Sequence, residues 1–409
     1  QNVKVKSAFE WNNYGPNTID YIYSDGTDVY YDSLYLRRSP TNVDDVSDFG
    51  TMPGAGRQII RSSSGVLYNF LNDGGNCEMW KSIDGTNWTL TDNEQCDSGG
   101  PIAAAIDSDD NIQVIYPDNA VQNLIESTTY SIDTDTFGTT IQLSGNNNLL
   151  LQELALTIDQ NGEVHIAWVE QGTFSGAYSV KYKNKTNNIW QTSVQIASGT
   201  PQPTGDVDIT INDSNIPEIV FLRANGTLNA VVGNQTNATS FTNYQVDSSV
   251  NITDGQRIPS IAVSPETGDT WIAYVESSTN YVTLAKHEGA TWTSNWSNIT
   301  SKTDVGYEPS IAIYGSDIYV IYKDDQDDVV YDIYNGTSWN GETVLESHGV
   351  LQDVKTKWSY VNNYDSTGVA PVQTNTYYID NSDNCTAGSS CQDPDSVWTD
   401  DANAFDGDN

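Results

Sequence analysis

Fifty-five carboxylates and six arginines are the side chains of this 409-residue chain with the most chemistry to offer. Two carboxylates at the right separation cleave a glycosidic bond, one as acid and the other as base or nucleophile. So many acids supply many such pairs, and the sequence alone singles out none. Arginines grip carboxylates as bidentate forks; here they stand at Arg37, Arg38, Arg57, Arg61, Arg223 and Arg257. The acidic runs DSDDN (107–111) and DDQDD (324–328) offer oxygen ligands of the kind Ca2+ takes. Neither has the full spacing of a calcium loop, and solvated turns are the competing reading. The three histidines, His165, His287 and His348, are scattered and argue against a zinc motif. No G-x-S-x-G elbow, H-E-x-x-H helix or glycine-rich phosphate loop is present. No cofactor is expected, apart from Ca2+ at the acidic loops.

What must position these residues is a repeat. The segments AAAIDSDDNIQVIYPD, LALTIDQNGEVHIAWVE, DITINDSNIPEIVFLR, SIAVSPETGDTWIAYVE and SIAIYGSDIYVIYKD share one pattern. Each is an apolar strand, a polar turn and a second apolar-aromatic strand. The last apolar residues before the turns are Ile106, Ile158, Ile211, Val263 and Ile313, spaced 52, 53, 52 and 50 residues apart. Ile60 extends the beat backwards, and the related VKVKSAFEW and VKTKWSYV stretches place further frames near both ends. A second hairpin lies between frames. Four short strands per ~50 residues predict an all-β β-propeller of seven or eight four-stranded blades. The helix-like run NNLLLQELALTI is read as a strand because it falls in frame.

The frame also selects a ring. The polar residue ending the second strand is Asn72, Asp118, Glu170, Arg223, Glu276 and Lys323 in successive repeats. Unlike residues at equivalent positions around one face can specify a ligand, although solvated hairpin ends satisfy the same pattern.

The stretch KSIDGTNW resembles the Asp-box of BNR/sialidase-like propeller repeat proteins, in a form one residue shorter, through Ser82, Asp84, Gly85 and Trp88. The resemblance covers residues 1–382 as architecture. It implies that the box locks an outer hairpin away from any active centre: aspartate accepts turn N–H groups, glycine takes positive φ and tryptophan packs back. Sialidases of that family use three arginines on the substrate carboxylate. QRIPSIAV, with Arg257, is similar to the R-I-P motif of the sialidase domain, but the next frame carries YEPSIAI with Glu308 in its place. The motif therefore marks the start of a blade, and no sialidase activity is expected.

A formal net charge of −38 repels phosphate backbones and anionic lipid, so nucleic acid is not an expected partner. No apolar run approaches the ~20 residues of a membrane span. Cys77 with Cys96 and Cys385 with Cys391 are close pairs, which predicts two local disulfides and an oxidising compartment. Eleven N-x-S/T sequons point to surface glycosylation, with Asn87, Asn184, Asn225, Asn234 and Asn335 as candidates. The opening at Gln1 without a leader pattern is what a processed chain is expected to show. Residues 383–409 form a polar tail, and its NAFDG (403–407) resembles the first strand of galactose-binding-like modules.

These features predict an extracellular or cell-surface propeller that binds or assembles: an adhesin, a glycan-binding module, or the subunit of a filament or envelope. Carbohydrate or protein would be held at the propeller face or the tail, and self-assembly is compatible. An enzyme is the less favoured reading; its form would be a glycoside hydrolase of sialidase-like architecture.

Overall fold

A computed structural model describes residues 4–7, 17–24, 29–36, 57–73, 76–83, 89–92, 102–118, 124–144, 150–171, 178–252, 259–288, 296–326, 328–346 and 375–376. All regular structure among them is β, in antiparallel sheets that follow the chain. The first sheet runs Lys4–Ser7, Arg57–Arg61, Leu67–Asp73, Asn76–Ser82 and Thr89–Asp92. The second begins Ala103–Ile106, Asn111–Pro117 and Ile125–Ser131; the third begins Leu150–Ile158, Val164–Gln171 and Tyr178–Thr186. The fourth is Pro203–Ile211, Pro217–Arg223, Leu228–Gly233 and Phe241–Asp247. The helix-like run is indeed extended: Leu150–Ile158 pairs along its length with Val164–Gln171.

Four strands per sheet is not uniform. In the second sheet the outer position is filled by two short strands, Thr136–Phe137 and Ile141–Gln142, both paired with Ile125–Ser131. Between them the Gly138 N–H returns to Thr129 O at 2.7 Å, which pinches the edge strand in two.

The fifth and sixth repeats share a strand. Ser297–Tyr314 is 18 residues long; its first half pairs with Tyr281–His287 and its second half, from Gly306, with Asp317–Asp324. A Cβ on Gly306 would lie 2.5 Å from Val282 and 2.6 Å from Tyr322, so only glycine lets the strand cross from one sheet to the next.

First strands of successive sheets lie against one another. Their side chains alternate between two neighbouring sheets, so both faces are buried and the strand reads as an unbroken apolar run, as in Ala103–Ile106. Ala103 and Ala105 face Leu154, Leu156 and Ile158 of the next sheet, small against large where the sheets converge. Each such leucine or isoleucine stabilises the packing by about 2 kcal/mol. The architecture is propeller-like, as the repeat predicts. Among the described residues an early strand pairs with a late one: Tyr21 with Thr376 and Ile22 with Asn375. Lys4–Ser7, however, pairs with Arg57–Arg61, whereas the VKTKWSYV segment lies outside the described residues.

KSIDGTNW joins two paired strands, with Lys81 opposite Thr89 and Trp80 opposite Leu90, and Ser82 is buried. Asp84, Gly85 and Trp88 lie outside the described residues, as do Cys96, Cys385, Cys391, Asn87 and Arg257.

Candidate functional site

The sheets have two ends. At one, each first strand turns into the second; at the other lie the ends of the second strands. The six residues Asn72, Asp118, Glu170, Arg223, Glu276 and Lys323 occupy the latter, each within one residue of the end of a second strand. The Asp118 N–H donates to Leu124 O at 2.7 Å, Asn72 lies opposite Cys77, and Lys323 lies between Tyr307 and Val329. Glu276 accepts the hydroxyls of Ser278 and Thr279, each at 2.8 Å, and so braces its own turn.

Glu170 and Arg223 are the best anchored. Glu170 accepts the indole N–H of Trp168 at 2.7 Å and pairs with Lys181 at 3.5 Å. Its side chain is 13% exposed and that of Lys181 20%, so the pair is reachable yet partly sheltered from water. Arg223 donates to Asn229 Oδ1 at 2.9 Å and to Pro201 O at 2.7 Å, and its guanidinium lies over Phe221. Burial lowers its pKa. Two of its five N–H donors are thus already committed to the protein.

Sequence reasoning missed a pair on the same end. Buried Tyr274 donates its hydroxyl to Asp247 Oδ2 at 2.7 Å, while Asp247 Oδ1 accepts the Ser248 and Ser249 N–H groups. Burial, then Asp247, raises the Tyr274 pKa, so the phenol keeps its proton. The two residues are 27 positions apart, in different repeats, and no local motif links them.

At the opposite end the turns of the second, third and fourth sheets follow one rule. The residue that opens the turn accepts N–H groups two and four positions on: Asp107 from Asp109 and Asn111, Asp159 from Asn161 and Glu163, Asn212 from Ser214 and Ile216. The acidic loop at 107–111 is therefore held as a turn by its own carboxylate. Asp324 does the same at the other end of its sheet, for Gln326 and Asp328. Neighbouring turns touch, with the Ser63 N–H on Asp110 Oδ1 at 2.9 Å and the Gln160 N–H on Asn215 Oδ1 at 3.2 Å.

Two residues past the third turn, fully buried His165 places Nδ1 2.7 Å from the Tyr182 hydroxyl. Its Nε2 lies 3.7 Å from Asp159 Oδ2. Ligand atoms of Asp159, Glu163 and His165 all lie within 4.8 Å of one another. Burial, then the Asp159 charge, raises the Glu163 pKa, against a smaller lowering by His165.

No family model matches the sequence, and no curated protein does. Among solved structures, polysaccharide lyase Uly1 is similar at 11% identity and a TM-score of 0.50, over 90% of this chain and 100% of that one. An ulvan lyase of polysaccharide lyase family PL25 aligns at 8% identity and 0.48, over 79% and 91%. The α-L-arabinofuranosidase Arb93A from Fusarium graminearum aligns at 12% and 0.46, over 68% and 91%. At these identities the likeness to Uly1 is one of fold alone: all-β and propeller-like.

Proposed function

We propose that the chain acts on carbohydrate at the end of the sheets that carries the second-strand termini, as a secreted glycoside hydrolase. The observation that carries this reading is Glu170, a partly sheltered carboxylate set between an indole N–H and a lysine. The fold supports it, since it is shared with a polysaccharide lyase. Charge narrows the substrate: a chain at −38 repels anionic polysaccharide, which favours a neutral glycan and hydrolysis over elimination from a uronate. Ring closure into seven or eight blades is part of the proposal, supported by the pairing of Tyr21 with Thr376.

The second reading, a binding or assembly module without turnover, is favoured by Arg223, whose guanidinium is fixed by Asn229 and Pro201 while N–H donors remain for a ligand. One experiment separates the two. The chain is incubated with neutral and anionic polysaccharides, and reducing ends and unsaturated uronates are measured alongside glycan-array binding. Reducing ends from a neutral glycan, reduced about a hundredfold in Glu170→Gln, fit hydrolysis. Binding without release fits the module. Absence of both binding and release overturns the carbohydrate reading.

A further inference from the structure

The turn joining Leu150–Ile158 to Val164–Gln171 differs in one respect from its counterparts in the second and fourth sheets. Positions one, five and seven of the pattern are Asp107, Asn111 and Gln113 in the second sheet, and Asn212, Ile216 and Glu218 in the fourth. There the buried seventh residue is satisfied. Gln113 donates to Thr129 at 2.7 Å and accepts from Lys185 at 3.2 Å; Glu218 accepts from Asn212 at 2.8 Å and from Thr270 at 2.6 Å. In the third sheet the same positions hold Asp159, Glu163 and His165, and His165 Nε2 is buried with no hydrogen-bond partner.

The surroundings aim that nitrogen at oxygen. Asp159 Oδ1 is taken up by the N–H groups of Asn161 and Glu163, at 2.9 and 2.8 Å, which turns Oδ2 toward the imidazole. Oδ2 has one long contact besides, Asn161 Nδ2 at 3.3 Å. Gly162, at φ +77, allows the turn that brings Glu163 back over the pair. One Glu163 oxygen lies 3.5 Å from the Thr186 hydroxyl, which is itself donated to Asn237 at 2.6 Å. At 3.7 Å, Nε2 and Oδ2 are too far apart for a hydrogen bond. They are close to the roughly 3.4 Å that separates two ligands of a tetrahedral ion with bonds near 2.1 Å.

We propose that Asp159, Glu163 and His165 form a divalent-cation site of the Zn2+ type, bound through Nε2 and one oxygen of each carboxylate. This goes beyond the carbohydrate reading and does not depend on it. One imidazole nitrogen with two carboxylate oxygens suits zinc and its transition-metal neighbours, whereas Ca2+ and Mg2+ take oxygen alone. Three protein ligands leave a fourth position for water. Tyr182 supplies the outer contact: in the metal-binding tautomer Nδ1–H donates to its hydroxyl, which leaves the Nε2 lone pair to the ion. Glu163 is half-buried while the other two ligands are buried, so the ion enters past Glu163.

The test uses the tag-free full chain, stripped with chelator and titrated with Zn2+ in a large excess of Mg2+ to occupy surface carboxylates. One equivalent should bind and raise the melting temperature. Glu163→Gln should weaken binding at least tenfold while the unloaded protein melts as wild type, and Asp159→Asn should act likewise if it folds. Asp107→Asn, in the equivalent turn, should change nothing. Co2+ in place of Zn2+ should give the visible spectrum of a four-coordinate site. Absence of stoichiometric binding overturns the proposal; so does binding that Glu163→Gln leaves intact.

Discussion

Glu218 of the fourth sheet accepts the hydroxyl of Thr270 of the next sheet at 2.6 Å, with both residues fully buried. The bond crosses between sheets where neither residue has access to water. Removing the hydroxyl leaves a buried carboxyl oxygen one donor short. Thr270→Val, which keeps the shape, should cost about 1–3 kcal/mol in urea denaturation. A change below a few tenths would mean that the carboxylate finds another donor.

Gly306 predicts a second stability effect. A methyl there meets Val282 and Tyr322 at 2.5 and 2.6 Å, and both are fully buried. Gly306→Ala should destabilise by about 1–3 kcal/mol through overpacking. Glycine 162, with nothing within 4 Å of its hypothetical Cβ but φ at +77, should respond less, and through backbone strain alone. Paired denaturation curves of the two alanine variants test the order.

Alkaline pH should unfold the chain. Burial pushes Tyr68, Tyr116 and Tyr319 each up to about 12 from 10. In the unfolded chain these phenols lose their protons near pH 10, while in the folded chain they keep them. The stabilisation is therefore complete below pH 10 and is lost as pH rises through 12. Tyrosinate absorbance of native and urea-unfolded protein should titrate about two units apart for these residues. Coincident curves would contradict the burial.

Glycans should sort by exposure. Asn225, Asn234 and Asn335 are exposed, whereas Asn184 is buried and its amide donates to Thr186 and Asn237, each at 2.8 Å. Its sequon was a candidate by pattern, yet its folded surroundings leave no room for a sugar. Glycopeptide mapping of protein from a glycosylating host should find sugar at some of the first three and none at Asn184. Occupied Asn184 would contradict the packing around Tyr182.

Strand and turn positions were legible because both faces of the first strands are buried, which leaves a short, largely apolar word before the turn, as in Ala103–Ile106 and Ser260–Val263. The run ending at Ile158 shows this: helical by local composition, extended by frame. The Asp159, Glu163 and His165 grouping was not legible. Its spacing is that of an ordinary hairpin, and its distinguishing feature, an unmatched ring nitrogen, depends on Tyr182 from the following strand. The contact of Asp247 with Tyr274 was hidden for the same reason. The crossing at Gly306 left only a glycine inside a strand, a signal shared with bulges.

Ser297–Tyr314 has a mechanical meaning as well. Other neighbouring sheets are coupled by packed side chains, which can loosen while each sheet stays whole. Here the coupling is a covalent, fully extended backbone that serves as the border of both. Tension on this strand is shared by two hydrogen-bonded ladders at once. Stretched from its termini, the molecule should release these two sheets in a single rupture of double contour length, where the other sheets come away one by one.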